Sequence, residues 1–270
     1  MTRMLAMRAD AGRRRALAGV AAGALFAGTP ALAAPEEIQV YMDEMGAPGE
    51  IGLDVHSNYV ASGARSVDYP GAQPSLHRTR ITPEFAYGLT RNLELGAYLP
   101  LATIEGGGRF GVDGIKFRLK YIVPRPAGQI WFVGANFEIG RVDHKLDINP
   151  YNAELKGIAG IRLGRWTAAA NANIDFTISG PAPGPASLEI ATKLSYALSP
   201  KFAIGIENFT GVGEFRALGR FGSSEQSSYA TIDTSLGRWD LNLGIGRGYG
   251  ANADRWTVKA VIGVPIGPRR

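Results

Sequence analysis

The chain has no cysteine, so neither a disulfide framework nor a cysteine-ligated metal centre is available to it. Histidine is scarce: His56, His77 and His144 are the only three. Beyond the first thirty or so residues, no stretch approaches the roughly 18 consecutive apolar residues that a helical membrane span needs. Phosphate-cradling loops are missing as well. Glu105-Gly106-Gly107-Gly108-Arg109 is glycine-rich, but no helical pattern follows it, and a nucleotide loop has to open a helix. No G-x-S-x-G elbow is present to carry a nucleophilic serine. These absences leave no cofactor and no metal to expect.

What is present begins with an export signal. Arg3, Arg8, Arg13, Arg14 and Arg15 are followed by an apolar run from Ala16 to Gly28 and then by the small-residue pattern Ala31-Leu32-Ala33. This predicts a signal peptide over residues 1–33, cleaved after Ala33. The segment holds five arginines and one aspartate, so the +5 of the whole chain falls to about +1 once it is removed. The basic character therefore belongs mostly to the discarded piece and gives no ground for nucleic-acid binding.

The remaining chain alternates apolar and polar residues with period two. Trp166, Ala168, Ala170, Ala172, Ile174, Phe176 and Ile178 share one face, while Thr167, Ala169, Asn171, Asn173, Asp175 and Thr177 share the other. Successive side chains of a strand point to opposite sides, so this is a strand with one apolar and one polar face. Twelve such segments are expected, near 50–60, 77–88, 93–104, 111–122, 130–141, 153–163, 166–178, 187–198, 202–210, 227–236, 239–249 and 255–265. In the tenth, Tyr229 and Ile232 disagree about which face is apolar. The connections tend to alternate between short turns (89–92, 124–128, 164–165, 199–201, 237–238) and longer loops (61–76, 105–110, 142–152, 179–186, 211–226, 250–254). Tight periplasmic turns and longer outside loops are the habit of outer-membrane barrels.

Tyr87, Tyr121 and Tyr196 lie just before short turns, and Trp131, Trp166, Phe202 and Trp239 lie just after them. All seven fall on apolar faces. A barrel would gather them into one belt at a membrane interface, where amphipathic rings settle. The polar faces carry Arg78, Arg80, Glu84, Glu94, Lys116, Arg118, Lys120, Glu138, Glu154, Lys156, Arg162, Asp175, Glu189, Lys193, Glu207, Asp240 and Lys259. A soluble sandwich or lipocalin-like barrel would turn these outward; a membrane barrel would line its lumen with them. The outward band is rich in alanine and glycine, whereas a soluble core would want bulkier filling. Together with the signal, the turn asymmetry and the aromatic belt, this points to an all-β, transmembrane, antiparallel up-and-down barrel over residues 49–266 in the outer membrane of a Gram-negative bacterium.

Three motifs, Glu37-Ile38-Gln39-Val40-Tyr41, Pro83-Glu84-Phe85-Ala86-Tyr87-Gly88-Leu89-Thr90 and Leu93-Glu94-Leu95-Gly96-Ala97-Tyr98-Leu99-Pro100-Leu101, with Pro48-Gly49-Glu50-Ile51, resemble a group of largely uncharacterised proteobacterial barrels. That group is similar to the outer-membrane channels associated with the meta pathway of phenol degradation. The resemblance implies an outer-membrane barrel with a transport role, with outer-membrane lipids and the barrel-assembly machinery as partners. It carries over no functional residues. Many such barrels end in an aromatic residue, and this chain ends Val264-Pro265-Ile266-Gly267-Pro268-Arg269-Arg270; the departure implies either inefficient assembly or an internal assembly signal.

Lys116, Arg118 and Lys120 form a positive stripe on one strand face, to which Arg78, Arg80 and Arg162 can add, with the glutamates on other walls. Such a transverse field would orient polar solutes; alternatively, the charges pair across a narrow lumen and close it. Residues 34–48 are acidic and precede the first strand, so they read as a periplasmic segment or as a plug for the basic stripe. His56 shares its face with Asp54 and Asn58 and reads as a polar wall residue. The functional expectation is a channel for small solutes, aromatic or anionic. The alternatives are a sealed barrel with partner-binding loops and, third, an outer-membrane hydrolase using His56 as base.

Overall fold

A computed structural model describes residues 37–219 and 221–266. The signal-peptide reading of residues 1–33, residues 34–36 and the C-terminal residues 267–270 lie outside the described residues. Twelve strands follow one another: β1 (Ile51–Gly63), β2 (Thr79–Gly88), β3 (Leu93–Ile104), β4 (Phe110–Ile122), β5 (Trp131–Val142), β6 (Tyr151–Leu163), β7 (Trp166–Ser179), β8 (Ser187–Ser199), β9 (Phe202–Glu214), β10 (Glu225–Leu236), β11 (Trp239–Gly250) and β12 (Asp254–Ile266). Each pairs antiparallel with its sequence neighbours, and β1 pairs with β12 to close the barrel. Closure leaves no unpaired strand edge, which is what a sheet needs in a medium that cannot hydrogen-bond to it. Strands of 10–14 residues, at about 3.3 Å per residue and tilted by about 40°, cross a hydrocarbon layer of about 25 Å.

The two faces are inverted relative to a soluble protein. On β4, Phe117 is 51% exposed and its neighbour Arg118 only 6%. Ile115, Leu119 and Tyr121 share the exposed side, while Lys116 and Lys120 share the buried one. Charged side chains are almost never buried in soluble domains unless paired, and apolar ones are not left in continuous exposed bands. Here buried charges occur on β2 to β6, β8, β9 and β12 beneath exposed apolar bands, so the apolar faces meet lipid and the charges line the interior. The fold is thus a transmembrane antiparallel barrel of twelve strands.

The strand bounds follow the period-two reading closely, and the differences have physical causes. β9 continues to Glu214, four residues past the expected end, because its ladder with β8 runs on through Leu188↔Gly213 and Ser187↔Glu214. In β10, Tyr229 is buried and Ile232 exposed, so the ring turns inward against the rule that aromatics face lipid. Gly246, its cross-strand partner, makes this fit: a Cβ there would lie inside the Tyr229 ring. The turn asymmetry is uneven. The connection 123–130 has eight residues, as many as the loop 143–150, and 251–253 has only three. Pro124 and Pro126 cannot donate to a ladder, which holds the former open.

Candidate functional site in the barrel lumen

The register brings the inward charges of neighbouring strands side by side: Glu94↔Lys120, Arg118↔Glu138 and Lys193↔Glu207 are direct cross-strand partners. Arg78, Arg80, Glu84, Glu94, Lys116, Arg118, Lys120, Glu138 and Lys193 are buried, and Glu154, Arg162, Asp175 and Glu189 partly so. All line the interior. Tyr87, Tyr121, Trp131, Trp166, Phe202 and Trp239 are exposed on the outer face, and Tyr196 is half-buried against Trp166 at 4.8 Å between ring centroids. The tryptophans and Phe202 open β5, β7, β9 and β11, so these rings ring the short-turn end. A second set, Tyr59, Phe110, Tyr151, Tyr249 and Trp256, is exposed near the long-loop end. The sequence held that signal too, as outward aromatics beside long loops.

The positive stripe is not free. Arg118 donates to Glu84 and, at 2.8 Å, to Glu94. Gly96, opposite Arg118, leaves the room: a Cβ there would meet the guanidinium stem. Lys120 Nζ donates to the Glu44 carbonyl at 2.7 Å. Lys156 sits 3.0 Å from Glu138 and 2.5 Å from Glu154. On the opposite wall Lys193 and Lys259 share Glu207, and Lys193 also reaches Asp233 at 2.8 Å. Buried charges survive only when paired in this way.

Residues 37–48 lie inside the barrel at its short-turn half. Val40 and Tyr41 are buried with Ile122, Phe132, Ile158, Ala169 and Ala191, and Met42 and Met45 pack on that cluster. Asn171 Oδ1 accepts from the Tyr41 amide at 2.7 Å, and its Nδ2 donates to the Tyr41 carbonyl at 2.9 Å, as a strand neighbour would. Asp43 pairs with Arg125 at 2.5 Å and with Arg162; Glu44 pairs with Arg162 at 2.9 Å. The Gly46 amide donates to Glu94 at 2.7 Å, and Lys259 Nζ donates to the Ile38 carbonyl at 2.8 Å. The Tyr41 hydroxyl meets Glu37, the Tyr98 hydroxyl at 2.6 Å and Glu138 at 3.5 Å. Its ring is flanked by Arg118, Lys120 and Lys156 within 6 Å, a geometry that favours cation–π attraction. Burial, then the charge of Glu138, pushes the Glu37 carboxyl above its ordinary range; burial, then Glu37, raises the Tyr41 phenol.

Above this segment the lumen opens. A chamber of about 390 Å³ lies under the long loops, lined by Tyr69, Arg78, Arg80, Lys116, Asp175 and Glu225 among others. A deeper pocket of about 100 Å³ shares Lys116, Glu154, Asp175 and Glu225 with it and reaches down to Glu37 and Gln39.

His56 is fully buried, and its Nε2 lies 3.0 Å from Glu84. Its Nδ1 has no hydrogen-bond partner, so no serine hydroxyl is activated by it among the described residues. Glu37, His56 and Glu84 place ligand-type atoms within 4.8 Å of one another. Arg118 on Glu84 and the His56–Glu84 hydrogen bond already use these atoms, and a guanidinium beside the cluster opposes a second cation. In the loop after β5, Asp143 accepts from the Lys145 amide at 3.0 Å and Asp147 from the Asn149 amide at 2.8 Å.

Sequence reasoning passed over Tyr98 and Glu225 and left the face of Tyr229 open. Tyr98 shares the inward parity of Glu94, which was the available signal; an aromatic on a membrane strand is otherwise expected outside. Glu225 fell in a segment read as loop.

No family model matches the sequence, and no curated protein matches it, so the resemblance to the meta-pathway group has no family-level support. The fold has solved counterparts. An outer-membrane channel from Pseudomonas putida F1 superposes with a TM-score of 0.60 at 12% identity, covering 85% of this chain and 100% of that one. The NanC porin superposes with a TM-score of 0.52 at 9% identity, covering 80% of this chain and 100% of that one. At such identities the likeness is one of fold: this chain is similar in architecture to outer-membrane channel and porin barrels.

Proposed function

We propose that the protein is an outer-membrane channel for small polar solutes, closed toward the periplasm by its own N-terminal segment. The carrying observation is that residues 37–48 are held in the lumen by hydrogen bonds and ion pairs, below a chamber that opens toward the long loops. None of these contacts belongs to the strand ladder, which is closed without the segment, so the segment can leave while the barrel stays. An even strand count puts both ends of the barrel chain on the short-turn side, and short turns face the periplasm in such barrels. The apolar exterior and the channel-like folds of its structural counterparts support the same reading, with outer-membrane lipids and the assembly machinery as its partners. The resemblance to the meta-pathway group is the ground for an aromatic solute. Anionic solutes, suggested by the Lys116–Arg118–Lys120 stripe, are disfavoured because Arg118 and Lys120 are taken up by Glu84, Glu94 and the Glu44 carbonyl.

The test is single-channel recording of the refolded mature protein and of a variant lacking residues 34–48. The expected result is small or rare openings in the first and clear steps in the second. Silence from both, with heat-dependent gel mobility proving a folded barrel, overturns the channel and favours the second reading, a sealed barrel whose loops meet an outside partner. That reading has an observation behind it, since the lower lumen is filled. A hydrolase is the least supported reading, because His56 faces Glu84 and no serine.

A further inference from the structure

We propose that the deep pocket between the chamber and the N-terminal segment is a binding site for an organic cation, a solute bearing an amine or guanidinium group. This deepens the channel reading and rests on it for its biological sense, though the site itself can be tested without it.

The acidic wall is the first observation. Glu138, Glu154 and Asp175 are direct cross-strand partners in series across β5, β6 and β7. Like charges directly opposite one another destabilise a sheet unless a countercharge meets them. Lys156 answers Glu138 and Glu154, but Asp175 and Glu225 make neither a hydrogen bond nor an ion pair with their side chains among the described residues, and Glu189 is met only by the Asn173 amide at 3.0 Å. The deep pocket carries these carboxylates against two bases, Lys116 and Lys156.

The second observation is independent of charge. Asn173 is only 5% exposed and lines this pocket, and its Oδ1 has no donor among the described residues. The hydrogen bond from its Nδ2 to Glu189 orients the amide, so the oxygen is the free end. Gln39 Oε1, on the N-terminal segment at the pocket floor, is likewise without a donor among the described residues. A buried acceptor without a donor is costly, and two of them beside carboxylates ask for a ligand rich in N–H groups.

The third concerns size. Among the described residues, the carboxylate and imidazole group tight enough to hold a bare metal ion is Glu37, His56 and Glu84, and it includes none of Asp175, Glu189 or Glu225. Carboxylates spread more widely suit an extended cation. Phe209 and Tyr229, packed edge to face at 5.8 Å, present aromatic surface in the same pocket, and ring faces attract alkylammonium and guanidinium groups.

The experiment is equilibrium binding by titration calorimetry to the refolded mature protein in detergent, with 1,4-diaminobutane as probe and succinate and 1,4-butanediol as controls. Saturable binding of the diamine, with neither control binding, is expected. The Asp175→Asn/Glu189→Gln double variant should weaken it at least tenfold, and Asn173→Ala less, in barrels that keep heat-dependent gel mobility. Should the double variant fail to fold, Glu225→Gln alone serves, with a several-fold loss expected. Binding of succinate in preference to the diamine, or diamine binding indifferent to these substitutions, overturns the site. Diamine binding by a barrel that passes no current supports the site and overturns the channel; current without diamine binding does the reverse.

Discussion

The two halves of the lumen are built from the same strands by the same alternation, yet one is full and the other open. Toward the short turns, every cation described has an answer: Arg118 in Glu84 and Glu94, Arg162 in Asp43 and Glu44, Lys120 in a backbone carbonyl. Toward the long loops, Asp175, Glu189 and Glu225 on β7, β8 and β10 face a deep pocket whose bases are Lys116 and Lys156. A charged lumen is therefore not in itself a pore. What matters is whether its charges find each other, and here the N-terminal segment supplies acidic side chains and carbonyls to the half that would otherwise be basic.

The strongest way to break this contrast is to delete residues 34–48. Conductance should rise several-fold, and the freed bases should shift selectivity toward anions, read as a change in reversal potential under a salt gradient. Next in size is a change to the lumen's own network. Glu207→Gln leaves Lys193 and Lys259 sharing a wall without their common carboxylate, and removing one partner of a buried pair costs roughly 3–5 kcal/mol. Urea unfolding in lipid or detergent should show that loss; a midpoint unchanged from the parent would mean that water already fills this region.

Smaller still is Asn171→Ala, which removes the two hydrogen bonds to Tyr41 and weakens docking of the segment by about 1–3 kcal/mol. Open probability should rise while the barrel's unfolding midpoint barely moves. The gentlest probe is pH. Burial and the charge of Glu138 raise the Glu37 carboxyl in the docked state, against the opposing pull of His56 and Lys156; Glu84 acts with Glu138. An acid whose pKa is raised on docking favours docking when protonated. Its contribution is complete below the ordinary carboxylate range and is lost as pH rises toward the docked value. Openings should become more frequent across that window, and Glu37→Gln should flatten the dependence.

The sequence by itself determined the twelve strands, their inward and outward faces and the aromatic belt at the short-turn end. These rest on period two and on turn chemistry, which are local properties of a chain. That is why thirteen lumen positions from Arg78 to Lys193 could be assigned to the interior side. Where local rules pulled in two directions, as at Tyr229, the sequence was silent: an aromatic prefers lipid, but Gly246 on the next strand leaves a space only an inward ring fills. Only the tertiary structure decided which charges pair. Lys120 meets Glu44 and Lys259 meets Ile38 across separations of 76 and 221 residues, and no pattern along the chain encodes such distances. The same holds for the seating of Tyr41 between Asn171, Tyr98 and Glu138. Closing the barrel brings residues from distant strands into one low-dielectric space, where each charge must find a partner or be met by a ligand.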